Sequence, residues 1–207
     1  MQRKAFDVLA SAVGVLVVVA LLVAGGLLMW GYSFANSNVH NQLAEQQIVF
    51  PTQAAFAHPV AGGEITPSMV GTVSKYAGQP LVTGQQAEVY ANDFIAVHLQ
   101  EIGGGKTYSQ LSAAAMALPK GSAAYTAAEA KVQTVFQGTT LRGLLLEAYA
   151  FGTFATIALL AAIACFVLAG LMALLVAFGF WHARRTDDAD ELAVHTSHAD
   201  AKELVTV

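Results

Sequence analysis

Residues 157–180 read IALLAAIACFVLAGLMALLVAFGF, and Asp, Glu, Lys and Arg are absent from the whole stretch between Glu147 and Arg184. That stretch is about 36 residues long, whereas a helix needs only about 20 apolar residues to cross a bilayer. A soluble core of the size that this chain can build could not cover so uniformly apolar a helix. The stretch therefore predicts a transmembrane helix.

A second apolar stretch, residues 8–30, predicts a second transmembrane helix. We expect an all-α protein in which two transmembrane helices flank a small helical extracytoplasmic domain, and in which the last soluble helix runs into the second span. The expected boundaries are a cytoplasmic N-terminus at 1–7, a transmembrane helix at 8–31, the extracytoplasmic domain at 32–150, a transmembrane helix at 151–181 and a disordered acidic cytoplasmic tail at 182–207.

Flanking charges predict the orientation of these two stretches. Arg3 and Lys4 precede the first and the pair Arg184–Arg185 follows the second, whereas Arg142 is the only base near their inner ends. By the positive-inside rule, both termini are cytoplasmic. Residues 33–35 resemble a signal-peptidase site, but the apolar run before them exceeds the roughly 7–15 residues of a signal peptide. We therefore expect an uncleaved anchor.

Composition restricts the partners and cofactors. The chain has 207 residues, of which 56 % are hydrophobic and 12 % charged, and its net charge is −4. It offers no basic stripe to a nucleic acid. Cys165 is the only cysteine and lies in the second apolar stretch, so the middle region has neither a disulfide nor a cysteine-ligated zinc site. We expect no cofactor.

Capping signals place helices in the middle region. A threonine followed three residues later by Gln or Glu, the pattern of a capping box, occurs at 83–86, 107–110 and 126–129. The first of these helices should end at the glycines 103–105, and the second near Pro119. No proline follows the third, which predicts one long helix, or two nearly coaxial ones, from about 127 to 181.

Several smaller elements are also predicted. Residues 34–50 should form a polar helix that Pro51 stops, and residues 52–66 a loop. Thr66 should cap a short helix that begins at Pro67. In the long last helix, bends are expected at three glycines: Gly138, Gly143 and Gly152.

Small residues form a stripe along the second apolar stretch. Either the stripe reflects only the abundance of alanine, or it indicates close packing against another helix of this chain or of a partner. The members of the stripe are Ala158, Ala162, Cys165, Ala169, Ala173 and Ala177. The first stretch has a poorer stripe: Ala10, Gly14, Ala20, Ala24 and Gly25. Neither stretch carries an ionisable residue, which argues against a proton or ion path through one copy of the chain.

The sequence Gly103-Gly104-Gly105-Lys106-Thr107 invites comparison with a phosphate-binding loop. The motif needs a further glycine at the position of Gln100, and no second nucleotide motif accompanies it. We expect a helix-terminating glycine turn and no bound nucleotide.

His98 and Glu101 are three residues apart on a predicted helix, so both side chains could reach one metal ion. Further donors exist elsewhere: His40, His58, Glu88 and Asp93. Because the spacing is nonspecific and His98 lies on an apolar face, a core histidine bonded to a neighbour is the expected outcome. No catalytic, cofactor-binding or metal-binding residue is assigned.

Four segments resemble a group of uncharacterised two-span membrane proteins from actinobacteria: residues 38–46, 75–99, 104–109 and 139–151. The resemblance implies the same architecture and a bacterial inner membrane as the location. Some members carry an aromatic ring-opening dioxygenase label. A non-haem iron site needs two histidines and a carboxylate placed together, and these residues indicate no such set.

These features together predict a non-enzymatic integral membrane protein, an accessory, scaffold or interaction subunit of a membrane or envelope complex. Its expected partners are the lipid bilayer and a membrane protein or a second copy of itself. The alternative is an extracytoplasmic domain that senses a small ligand or a metal and acts through a partner. Tyr90, Phe94 and His98, which share one helical face, would then line its pocket.

Overall fold

The computed structural model describes residues 3–185, and side chains within 8–184. This part of the chain is all-α, as expected, and contains no β-strand beyond the isolated bridge between Val49 and Pro80. The α-helices are α1 (Arg3–Glu45), α2 (Gly84–Val89), α3 (Ala96–Gly103), α4 (Tyr108–Met116) and α5 (Ala123–Arg185). A π-helix at Tyr90–Ile95 joins α2 to α3, and 3-10 turns lie at Gln53–Ala57, Pro67–Met69 and Val73–Tyr76.

Two of these helices, α1 and α5, are long and apolar enough to cross a membrane, judged by length and composition. The prediction of one long last helix is confirmed, since α5 is a single helix of 63 residues. Residues 182–185 of the predicted disordered tail belong to α5, and the rest of that tail lies outside the described residues.

Residues cluster into two compact units, to both of which α1 and α5 contribute. We call residues 1–30 with 159–207 the terminal unit, and residues 31–158 the central unit. In the described part of the terminal unit, α1 and α5 pack antiparallel, and glycines at several contact positions leave room for side chains of the facing helix. A Cβ added at Gly25 would lie 2.9 Å from the Phe166 ring, and one added at Gly179 would lie 2.5 Å from Ser11 Oγ.

Buried and half-buried positions in this helix pair recur at alternating three- and four-residue steps, the spacing of a left-handed coiled coil. The positions in this pattern are residues 11, 14, 18, 21, 25 and 28 of α1, and 162, 165, 169, 172, 176, 179 and 183 of α5; residues 24, 159, 161 and 180 beside them are also half-buried. Within the chain, the predicted stripe is confirmed for Ala162 and Ala169, which are buried; Ala173 and Ala177 are exposed, so their contact with a partner helix stays a prediction. A stripe in repeated steps of four rotates off the contact face, because seven residues nearly complete two helical turns.

The central unit has a core of large side chains. Phe50, Met69, Val73 and Leu81 are its largest fully buried residues, and Leu145 of α5 packs into the same cluster. A smaller cluster joins α4 to α5: Leu111, Ala115, Val132 and Val135. The irregular segment between α1 and α2 is thus ordered by burial of its apolar residues, and the loop predicted at 52–66 includes a 3-10 turn.

Two of the three predicted capping boxes are confirmed. Thr83 and Thr107 each accept a hydrogen bond from the backbone N–H three residues on, and the glutamine there bonds back to the threonine N–H. The third is wrong, because α5 begins one turn earlier, where Ser122 Oγ accepts from the Tyr125 N–H. Thr126 instead donates its hydroxyl to the Ser122 carbonyl.

The ends of two other predicted helices also differ. The helix expected at 34–50 is the end of α1, which stops at Glu45, and Gln47 adopts a left-handed conformation with φ 52°. Residues after Pro67 form two 3-10 turns, and the Thr66 side chain does not cap the first of them. Its hydroxyl pairs with the Ser68 hydroxyl at 2.8 Å.

Candidate functional site

The helical segment 84–103 runs antiparallel along α5 within the central unit. At one end Gly84 meets Gly152, where a Cβ added to Gly84 would lie 3.1–3.3 Å from the backbone of α5. At the other end a Cβ on Gly138 would lie 2.5 Å from Leu99 Cδ2. Two of the three glycines at which bends were expected thus occupy sites of close helix contact, and the bends themselves stay a prediction.

Midway along this contact, Arg142 of α5 meets the π-helix. Its Nη2 donates to Asn92 Oδ1 at 2.8 Å, and its buried Nε has no partner among the described residues. A half-buried guanidinium is normally held by a carboxylate. Here a neutral amide takes that position, so the contact fixes the arginine without neutralising it.

A series of neighbouring aromatic rings runs from the core to this π-helix. The rings of Tyr76, Phe50, Tyr90, Phe94 and His98 follow one another with centroid separations of 5.3, 5.3, 4.8 and 4.6 Å. Burial, with a smaller contribution from the negative charge of Glu64, raises the pKa of the Tyr90 phenol. These neighbouring rings account for most of the helical face on which a ligand pocket was predicted.

His98 is half-buried and fixed in orientation. Its Nδ1 lies 2.8 Å from the Phe94 carbonyl oxygen. Because a carbonyl can only accept, Nδ1 carries the proton of this bond, and the Nε2 of a neutral ring keeps its lone pair. Phe94 and His98 line a shallow cleft of about 360 Å³ with Gly138 and Leu141, whereas Tyr90 is not part of its lining.

The candidate metal ligands are not brought together. Glu101 is exposed and accepts a hydrogen bond from the Gly62 N–H at 3.3 Å. Within residues 8–184, no group of three or more His, Cys, Asp or Glu side chains is placed to hold a metal ion. The expected bond of His98 to a neighbour is confirmed by its contact with Phe94.

The glycine run at 103–105 ends a helix, as expected. Gly104 is the left-handed C-cap of α3, with φ 59°, and its N–H bonds to carbonyls of the last turn. Thr107 is the N-cap of α4. The residues that suggested a phosphate-binding loop therefore end α3 and cap the start of α4.

A polar cavity of about 440 Å³, which no sequence pattern predicted, lies between α1, the start of α2 and α5. Its polar lining residues are Asn36, Thr83, Gln85, Glu88, Tyr149, Thr153 and Thr156. They come from three segments far apart in the chain, so no local spacing could have grouped them.

An apolar groove of about 520 Å³ lies on another side of the central unit, between α1 and α5. Its apolar lining residues are Phe34, Ala35, Val39, Leu43, Leu141, Leu144, Leu145, Ala148 and Phe151. Leu144 is 59 % exposed and Phe151 53 %. Asn38, Gln42 and Gln46 follow one wall at four-residue steps, and Glu147 is its only charged lining residue.

No protein-family model, no curated protein and no solved structure matches the chain. The resemblance to two-span actinobacterial proteins stays a prediction that rests on the four sequence segments alone.

Proposed function

We propose that this is a non-enzymatic integral membrane protein that serves as an accessory or scaffold subunit in a bacterial inner membrane. In this proposal α1 and α5 cross the bilayer, both termini are cytoplasmic, and the central unit faces outward. The length and apolar composition of the two helices and the distribution of flanking arginines and lysines support that arrangement.

One observation carries the interaction role: the open groove in the central unit, lined by exposed apolar side chains. In water, burial of a large apolar side chain such as Leu144 is favourable, and contiguous apolar patches mark contact surfaces. The same groove has no histidine, cysteine or base in its lining, so it offers contact area and hydrogen bonds.

A helix from a partner membrane protein, or from a second copy, fits this groove best. An amphipathic helix would place its apolar side on Leu141 and Leu144. Its polar side would meet the amides of Asn38 and Gln42, one turn apart on α1, and that of Gln46 just beyond the helix end. The groove adjoins, in sequence, the first apolar stretch at Phe34 and the second at Phe151, as a partner helix leaving the bilayer would require.

Photo-crosslinking in native membranes tests the interaction. With a photoreactive amino acid in place of Leu144, we expect one discrete protein adduct. A competing copy that carries Leu144→Glu should not lower the yield of this adduct. The control position is Met116, which is 69 % exposed but lies on α4, outside the groove. Adducts of equal yield at both positions, or none at Leu144, would refute the proposal.

Cysteine labelling tests the topology separately. In a Cys165→Ser background, Thr126→Cys should react with a membrane-impermeant maleimide in intact spheroplasts, and Ser197→Cys only after lysis. Labelling of Ser197→Cys alone in the intact cells would reverse the proposed orientation.

A further inference from the structure

The polar cavity lies on the central unit, formed where the glycine pair brings α2 against α5. A Cβ on Gly152 would lie 3.3 Å from Gly84 Cα, so neither position has room for a larger residue without a shift. This close approach sets the cavity between residue 36 of α1, residues 82–88, and residues 149–156 of α5. Its volume of about 440 Å³ is in the range of about 300–1,000 Å³ that is typical of small-molecule sites.

Much of the hydrogen-bonding capacity around this cavity is unused. Within the described part of the chain, the side chains of Asn36, Gln85, Glu88 and Tyr149 make no hydrogen bond to protein atoms. Thr153 and Thr156 donate their hydroxyls to carbonyls one turn back, which leaves oxygen lone pairs to accept. Four polar side chains without a hydrogen bond to protein and two threonine hydroxyls that can accept therefore line one cavity.

The kinds of donor and acceptor define the ligand. No Lys, Arg or His is among the residues that line the cavity, so a phosphate, sulfate or carboxylate would find no counter-charge. Asn36 and Gln85 can donate and accept, the hydroxyls of the two threonines accept, and the carboxylate of Glu88 accepts two or more bonds. A ligand without negative charge that presents many groups able both to donate and to accept therefore matches this lining best.

Vicinal hydroxyl groups have this property, since each donates one hydrogen bond and accepts two. Carboxylates and amides bind neighbouring hydroxyls in pairs, and the ring of a half-buried tyrosine offers an apolar face to the C–H groups of a pyranose. We propose that this cavity binds a neutral sugar residue, with Glu88, Asn36 and Tyr149 as its principal contacts. The sugar could be free or the headgroup of a glycolipid; only the second source depends on the membrane location proposed above.

Calorimetric titration of the full chain, purified in an amine-oxide detergent that contains no sugar, tests the proposal. The probes are maltose and trehalose. We expect saturable binding with a dissociation constant of about 1 mM, typical of a small polar ligand in an open site. Glu88→Gln should weaken it about tenfold or more, because a hydrogen bond to a charged acceptor is replaced by one to a neutral group.

Glu129→Gln is the matched control: the same change on α5, at a residue outside the cavity, should leave the affinity unchanged. Unchanged circular dichroism and melting of both variants excludes loss of folding. For the lipid source, native mass spectrometry of protein from vesicles with digalactosyl diacylglycerol should show the glycolipid retained by wild type and lost from Glu88→Gln.

Three results overturn the proposal: no saturable binding of either free sugar and no retained glycolipid; equal weakening by Glu88→Gln and Glu129→Gln; or binding of ethanolamine or glucose 6-phosphate at least as tight as that of the neutral sugars. Each can occur while the crosslink at Leu144 persists, so failure here is separable from failure of the proposed interaction role.

Discussion

The described residues of the terminal unit and the core of the central unit differ in the size of the residues that they bury most fully. Where α1 and α5 pack in the terminal unit, the contact positions include Ser11, Gly14, Gly25 and Ala169. In the central unit the fully buried residues are large: Phe50, Met69, Leu81 and Val73. In the terminal unit, small residues on one helix leave room for larger side chains of the other, such as Val176 against Gly14 and Phe166 against Gly25, whereas in the central core large side chains pack together.

The difference follows from the solvent that each region is suited to. In water, burying a large apolar side chain contributes stability in proportion to the area removed. In lipid that driving force is absent, and helices gain most from close backbone approach, which small residues allow. The contrast therefore agrees with the proposed division between a membrane-embedded helix pair and a water-exposed domain.

The largest expected effect comes from truncating the central core. Phe50 is 1 % exposed and contacts the rings of Tyr76 and Tyr90, so Phe50→Ala should lower the free energy of unfolding by about 3–5 kcal/mol. Denaturant titration followed by near-ultraviolet circular dichroism measures it. Val49→Ala, at the neighbouring residue that is 57 % exposed, should change stability by less than about 0.5 kcal/mol. Similar losses for both would mean that the core is not organised around this ring.

The next effect tests the helix pair by enlarging a contact residue. Gly25→Leu should destabilise the pair by about 1–3 kcal/mol, because its Cβ alone would meet the Phe166 ring at 2.9 Å. Gly26→Leu is the matched control, since nothing lies within 4 Å of a Cβ there. Unfolding in mixed micelles of dodecyl sulfate distinguishes the two. If Gly26→Leu is the more damaging, another surface of α1 is the contact.

A glycine contact within the central unit sharpens the comparison, because it tests close packing away from the terminal unit. Gly84→Ala should cost about 1 kcal/mol net, since its Cβ would press on the α5 backbone at 3.1 Å. Gly143→Ala, with nothing near its Cβ, should instead stabilise α5 by about 0.5–1 kcal/mol. Thermal melting should move in opposite directions for the two variants, and a common direction would contradict the observed contact.

The smallest expected effect is on the loss of stability with rising pH, which is absent near neutral pH and appears only in alkaline solution. Because burial raises the pKa of Tyr90 in the folded chain, its neutral phenol contributes stability that is complete below the unfolded pKa of about 10. That contribution is lost as the pH rises through the folded pKa. Tyr90→Phe should therefore flatten the loss of stability at high pH, as measured by denaturant midpoints across the alkaline range. An unaltered alkaline profile would count against the burial of the phenol.

Local signals allowed much of the helical structure to be predicted. The boxes at Thr83 and Thr107 depend on residues three apart, and the long α5 follows from an unbroken run without proline. The third box failed because Ser122, one turn upstream, caps the helix first. The π-helix at Tyr90–Ile95 has no comparable local signal, and its Asn92 makes a contact with Arg142, 50 residues away, that no local pattern indicates.

The candidate sites were less accessible to prediction from the sequence. Phe94 and His98 do line a cleft, since both lie on one helical face within a single segment. The polar cavity joins Asn36, Glu88 and Tyr149, which are separated by more than 50 residues each. Periodicity describes one segment at a time, so it could not indicate that these three side chains share a space.

Cys165 carries the only thiol of the chain, and this has a practical consequence. It is half-buried between Ala162 and Ala169, at the same edge of α5 as the contact positions. Because the covered part of its surface lies beside the helix contact, its rate of alkylation should respond to a change in the packing of the two helices, in the natural chain and without an introduced probe. Any ligand or partner that tightens or loosens the helix pair should slow or quicken the alkylation of Cys165.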